Sequence, residues 1–474
     1  MWRAGFGPAA DQLELLKDIS PKTLFKTLQK TSAARPSFID VADNQLRSLV
    51  MEAAEINPQQ KRRELNEEER RLVRQKQREG VRQLNLSWLS QMVKSQAQLR
   101  EKMAFFWHGH FASRNLNVFF QQQLLDILRQ HALGSFKTLL HEVSKSASVL
   151  NFLNAAQNKK GHPNENFARE VMELFTLGRG HYSENDIKEA ARAFTGWSAN
   201  LKGEFVFRPF QHDRGNKTVL GISGNLQGED VLDILLQQKQ TASYITQKIY
   251  RFFVNENVDQ EKVAWLADRF YNSDYNIGAL MEDIFTSDWF YDKQNIGALI
   301  KSPIELIAGV QRILPMTVDN EDALLFMQRL LGQMLFYPPN VAGWPGGKNW
   351  IDSSSLMVRM RLPQLINDTD ELTMRPKTDD DMSGGREEEM TPGQKGYARA
   401  GKPIQATVNW SAFIKRFETT KREHLLAALQ NTLLQVTPRF DVKVIQSFSD
   451  SSSRENFIRT CAIQMMSTPE YQMC

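Results

Sequence analysis

Cysteine is almost missing from this chain: two in 474 residues, Cys461 and Cys474, both at the C-terminal end. That scarcity excludes a disulfide framework and any cysteine-rich zinc or iron–sulfur centre. Charge of one sign is missing too. With 59 Lys and Arg against 55 Asp and Glu, the net charge is +4, too small an excess for a dedicated nucleic-acid binder, so no nucleic-acid partner is expected. No apolar run approaches the ~18–20 residues of a spanning helix, which excludes a helical integral membrane protein. Nor does Met1-Trp2-Arg3-Ala4-Gly5-Phe6-Gly7-Pro8 read as a secretory signal, since no charged segment precedes an apolar one. A nucleophile elbow of the form G-x-S-x-G is absent.

What remains reads mostly at helical period. Leu13, Leu16, Ile19, Leu24 and Leu28 recur along the first segment. Residues 61–79 interleave Glu and Arg, the pattern of a solvated helix held by i,i+4 pairs. Helical spacing resumes over 86–107, 117–133 and 136–156. Pro163-Asn164 then starts a helix through Phe167, Val171 and Leu174, which Gly178 stops. Ser183 with Asp186 is a capping-box start, and Gly196 closes that helix. At 203–221 the period shortens: Glu204–Arg208 and Thr218–Leu220 are β-like runs around a polar turn, expected as one small hairpin. Helices return over 230–331, and a Pro/Gly loop spans 337–347. Residues 368–403 are charged and turn-rich, and are expected to be a flexible polar insertion. The expected architecture is mainly α: a large helical domain over 1–367, the insertion, and C-terminal helices over 404–474 packing on the main domain.

Three places carry residues suited to chemistry. The first is Glu101…His108-Gly109-His110. Glu101 and His108 share a helical face, and an H-x-H pair at a helix end can give two imidazoles to one metal. The alternative is that both rings are satisfied by backbone carbonyls within Phe105, Phe106, Trp107 and Phe111. The second is Glu170 with Glu173, a carboxylate stripe beside the core face Phe167, Val171, Leu174 and Phe175. Two carboxylates one turn apart suit a metal or a general acid–base pair, and equally an exposed face paired with Arg169 or Arg192. The third is His212-Asp213 in the polar turn, a mobile ligand or a self-capped turn. Gly343–Lys348 only superficially suggests a phosphate loop, because Ala342 and Asn349 stand where Gly and Ser or Thr are required.

Taken together, Arg3-Ala4-Gly5-Phe6-Gly7, Glu101–Phe111, Pro163–Gly178, Phe194–Trp197, His212-Asp213, Lys301-Ser302-Pro303 and Pro338–Pro345 resemble the motifs of the bacterial family catalogued as domain of unknown function 1800. The resemblance spans nearly the whole chain in the family's order. It implies an exported or envelope setting, in the periplasm or cell envelope, beside a neighbouring phosphatase-like family that is a possible partner. It implies no settled activity.

That the family's motifs include the same three places raises two expectations. One is a metal-dependent enzyme, hydrolytic or oxidative, acting on an unknown substrate and holding a divalent Zn, Mn or Fe ion. His108, His110, His212 and Glu170 would be its ligands, with Glu173 or Asp213 as general base or as a group orienting a ligand. The other is a non-catalytic envelope scaffold or partner protein, whose polar motifs form a buried network fixing helix order and whose loop near Trp344 is a docking surface.

Overall fold

Helices start where the sequence supplies a cap. The computed structural model describes residues 1–13, 16, 18–55, 66–367 and 406–474. Asn66 and Glu69 exchange side-chain-to-backbone hydrogen bonds at the head of the Glu67–Lys94 helix. Ser183 and Asp186 do the same for Glu184–Ala193, as their spacing predicts. Ser302 and Glu305 box the Pro303–Ile313 helix, whose first residue is the proline that tolerates that position. The described residues hold twenty α-helices and three two-stranded antiparallel sheets, so the protein is mainly α. The expected insertion at 368–403 lies outside the described residues, as does the start of the charged run.

One helix organises the interior. Gln98–His110 is buried at every position except Gly109. A helix enclosed all round must be apolar or have its charges paired inside, and this one carries Arg100, Glu101 and Lys102. Lys102 meets Glu305 in an ion pair, which ties the central helix to the cap of Pro303–Ile313. The hydrophobic core built around it is continuous from Trp2 to Cys474.

The β-structure differs from the single hairpin expected at 203–221. The two runs do not pair with each other. Phe205–Phe207 pairs back with Trp197–Ala199, and Lys217–Val219 pairs forward with Ile222–Gly224. Leu220 and Gly221 both have positive φ (48° and 82°), which closes a two-residue turn whose twist suits antiparallel strands. Asp186 accepts the Leu220 N–H at 2.7 Å and holds that turn. The third sheet joins Met316–Val318 to Ala406–Val408.

The termini are built into the core. Arg3 donates to the carbonyls of Phe290 and Asn295 at 3.0 and 3.2 Å, and Cys474 pairs with Leu299 through backbone bonds of 2.9 and 3.2 Å. Lys301 joins the two ends of the chain. Its ammonium donates to the Tyr471 carbonyl at 2.6 Å and lies over the rings of Trp2 and Tyr471, 3.6 and 4.0 Å from their centroids.

Candidate functional site

Glu101 reaches its surroundings from the middle of the central helix. Its carboxylate has no exposed surface and is fully engaged. Arg129 donates through Nε and Nη2 (3.0 and 2.9 Å), Arg100 through Nε and Nη2 (3.3 and 3.2 Å), and the Trp88 indole through its N–H (3.1 Å). The two guanidiniums spend further protons on the carbonyls of Ser37 and Ala34. Glu101 and His108 are joined through Trp88: its Nε1 holds the carboxylate while its ring meets the imidazole edge-on, centroids 5.1 Å apart.

His108 is spent on the backbone. Its Nε2 accepts the Phe336 N–H at 3.1 Å, which leaves the proton on Nδ1. Burial pushes its pKa down to about 3, so the ring is neutral. The bond secures a strained residue, since Phe336 has φ +68°. Trp344 closes the other side of the imidazole at 5.4 Å between centroids. Gly343, at φ +82°, lies so close to the helix end that a Cβ there would stand 2.3 Å from the Gly109 carbonyl oxygen. Thus the Gly-Trp-Pro loop packs down onto the His-x-His segment.

His110 turns the other way. Its Nε2 faces the Phe175 carbonyl at 3.2 Å and must donate to it, so Nδ1 is a bare acceptor, buried and without a partner. Burial holds its pKa well below the usual histidine value, and the charge of Lys248 adds to this. The carbonyl it takes belongs to an unusual segment. Asn166–Glu170 is α-helical, but Val171–Leu177 widens into a π-helix. Thr176 fills the wide turn by donating to the Val171 carbonyl at 2.8 Å. Gly178 ends it at φ +79°, where a Cβ would press on the Tyr244 ring at 2.8 Å.

The two carboxylates on this segment have opposite surroundings. Glu170 is half-buried and has no hydrogen-bond or ion-pair partner among the described residues. Burial and the neighbouring Glu173 raise its pKa. Glu173 is held by the Tyr182 hydroxyl and by Arg179, at 2.9 Å, and its pKa is lowered by those bonds. Across from the π-helix, on the Lys239–Phe253 helix, Lys248 lies above the Tyr244 ring at 5.3 Å, with no hydrogen bond or ion pair among the described residues. Burial pulls its pKa to about 8. Nothing in the sequence singles Lys248 out, because one lysine on an amphipathic helix looks like a solvated residue.

His212 and Asp213 form a third, separate arrangement. His212 Nδ1 donates to the Thr195 carbonyl at 2.9 Å, and its buried Nε2 has no partner. Asp213 accepts from Arg192 at 2.8 Å and from the Gly215 N–H at 2.8 Å, and the bond with Arg192 holds its pKa down at about 2.

The six candidates are therefore placed in three surroundings. No hydrogen bond, ion pair or ring contact joins His108 or His110 to Glu170, or either to His212. Among the described residues no group of three or more His, Cys, Asp and Glu side chains is arranged to hold a metal ion. The lone pair of His108 is committed to Phe336, and Glu173 and Asp213 are committed to cations. Of the four ligands expected, His108 has its lone pair committed to Phe336, whereas His110 Nδ1, His212 Nε2 and the Glu170 carboxylate have no bonding partner among the described residues. A cavity of about 470 Å3 opens elsewhere, between Trp2, Arg3, Phe25, Leu28, Phe290 and Cys474, and none of the six lines it. No helix among the described residues is long and apolar enough to cross a membrane.

The class defined so far is a helical protein with a buried polar interior. It belongs to the family described as protein of unknown function (DUF1800), whose model matches residues 1–473. Comparison with curated proteins and with solved structures gave no match.

Proposed function

We propose that this protein is a non-catalytic helical scaffold or partner protein, with its polar motifs serving as an internal network that fixes the order of its helices. One observation carries the reading: Glu101, His108 and His110, the polar groups of the central helix, are spent on structure. They bind Arg129, the Phe336 N–H and the Phe175 carbonyl, three groups from segments distant in the chain. Such bonds between segments distant in the chain favour one packing over its alternatives, with only the Nδ1 of His110 left without a partner. The envelope setting implied by the resemblance belongs to this proposal.

A second reading rests on Glu170. Its pKa is raised while that of Glu173, one turn on, is lowered, the division seen between a general acid and its partner carboxylate. Here Glu170 would donate a proton to the leaving group of a bond cleaved by water.

Two measurements on the purified chain separate these readings from each other and from the metal enzyme. Elemental analysis compares the parent with the His108→Ala/His110→Ala variant. The scaffold predicts substoichiometric metal in both and a lowered Tm in the variant. Stoichiometric metal that the variant loses would overturn it. Chromogenic ester, phosphate and glycoside substrates are then offered to the parent and to Glu170→Gln. Turnover that the substitution abolishes would replace the scaffold with the acid–base reading.

A further inference from the structure

Phe210 is 99% exposed, the most exposed large apolar side chain among the described residues. It is also firmly held. Pro209–Gln211 forms one 3-10 turn, closed by Gln211 N–H to the Arg208 carbonyl at 2.9 Å. A second turn, Lys159–His162, is fastened beside it by Lys160 N–H to the Gln211 carbonyl at 2.7 Å. Behind both stands the His212-Asp213 motif, bonded to Thr195 and Arg192. The motif thus acts as the pedestal of a projecting aromatic tip.

The rim of the tip is cationic. Lys159, Lys160 and Arg208 are exposed and form no ion pair among the described residues, and Arg214 follows on the same loop in the same condition. The nearest carboxylates in sequence are occupied or distant: Glu165 binds Arg169, Asp213 binds Arg192, and Glu204 lies at the far end of its strand on Asn200. A second copy of the chain is a poor occupant, because a two-fold contact here would oppose like charges. Single-stranded nucleic acid is bound in grooves that track its backbone, whereas this ring stands on a convex apex flanked by Pro209 and Phe207.

We infer that the Phe210 tip docks the protein peripherally on an anionic lipid surface, the ring entering the interfacial layer and the Lys and Arg rim facing the headgroups. This goes beyond the scaffold reading and is independent of whether the interior is catalytic. Each cation near such a surface strengthens binding about fivefold, so three give roughly a hundredfold. Burying the ring adds about tenfold or more.

The test is co-sedimentation of the full chain with vesicles of phosphatidylcholine alone and of equal parts phosphatidylcholine and phosphatidylglycerol, at low and high salt. Binding is expected to the anionic vesicles only and to weaken with salt. Phe210→Ala should weaken it about tenfold, and Lys160→Glu/Arg208→Glu should abolish it, both with unchanged Tm because these side chains are exposed. Absence of vesicle binding, equal binding to both vesicle types, or full binding by Phe210→Ala would each overturn the inference. So would a single-stranded oligonucleotide that binds through Phe210 in preference to vesicles.

Discussion

Replacing His108 by Gln should make the protein more resistant to acid even though it removes a motif residue. The imidazole is neutral in the folded state, with its pKa pushed from 6.5 to about 3 by burial. Between those values the unfolded chain binds a proton that the folded chain does not. Stability is then full above about pH 6.5 and declines as pH falls toward 3, by up to ~1.4 kcal/mol per pH unit for this one group. Across the whole window the loss approaches roughly 5 kcal/mol, comparable to the entire stability of an ordinary domain, about 5–15 kcal/mol. Glutamine places an oxygen near the position of Nε2, so it still accepts from Phe336 N–H and does not titrate. Alanine at the same position removes the acceptor, at about 1–3 kcal/mol for the orphaned N–H, and leaves a hole among Trp88, Phe336 and Trp344 worth a further ~2 kcal/mol or more. Urea unfolding followed by circular dichroism, at steps from neutral pH down to about pH 4, measures both effects. The expected result is a pH slope shallower by about one proton in His108→Gln, and a large loss in His108→Ala at every pH. Equal slopes for parent and Gln variant would refute a neutral, buried His108.

Arg129→Ala leaves Glu101 buried against fewer cations and should cost about 3–5 kcal/mol. The exposed Arg47–Asp40 pair is the control, and Arg47→Ala should change the thermal unfolding free energy by no more than ~1 kcal/mol. Gly343→Ala combines a left-handed backbone with a Cβ driven against the Gly109 carbonyl and should destabilise by at least about 1–2 kcal/mol. Gly346→Ala, in open space at φ −96°, should be near neutral in the same assay.

Some of the site could be read from the sequence because its cause is local. The Ser183–Asp186 box and the stop at Gly178 are short-range and appear as expected. One of the two readings open for His108 and His110 has both rings bonded to backbone carbonyls within an aromatic cluster; His110 does meet a carbonyl, whereas His108 accepts a backbone N–H. The spacing of Glu101 and His108 did bring both to one neighbour, Trp88. Glu170 and Glu173 were legible as a pair. Their opposite electrostatics were not, since Tyr182 and Arg179 reach only Glu173. The one hairpin expected at 203–221 became two, because Leu220-Gly221 can close a turn by itself and Phe205–Phe207 finds its partner at Trp197–Ala199.

The sequence by itself determined the mainly α architecture, the near-balance of charge and the scarcity of cysteine that limit its chemistry, and the family to which the chain belongs. These follow from composition, period and motif order, which need no knowledge of distant neighbours. Only the tertiary structure decided which neighbours the polar motifs meet. A histidine beside a backbone N–H and a histidine beside a metal are the same letter, and the difference lies in which segment arrives next to it. For His108 that segment is Phe336 and for His110 it is Phe175. Contacts of that range are fixed by packing the whole core at once, and no local pattern encodes them.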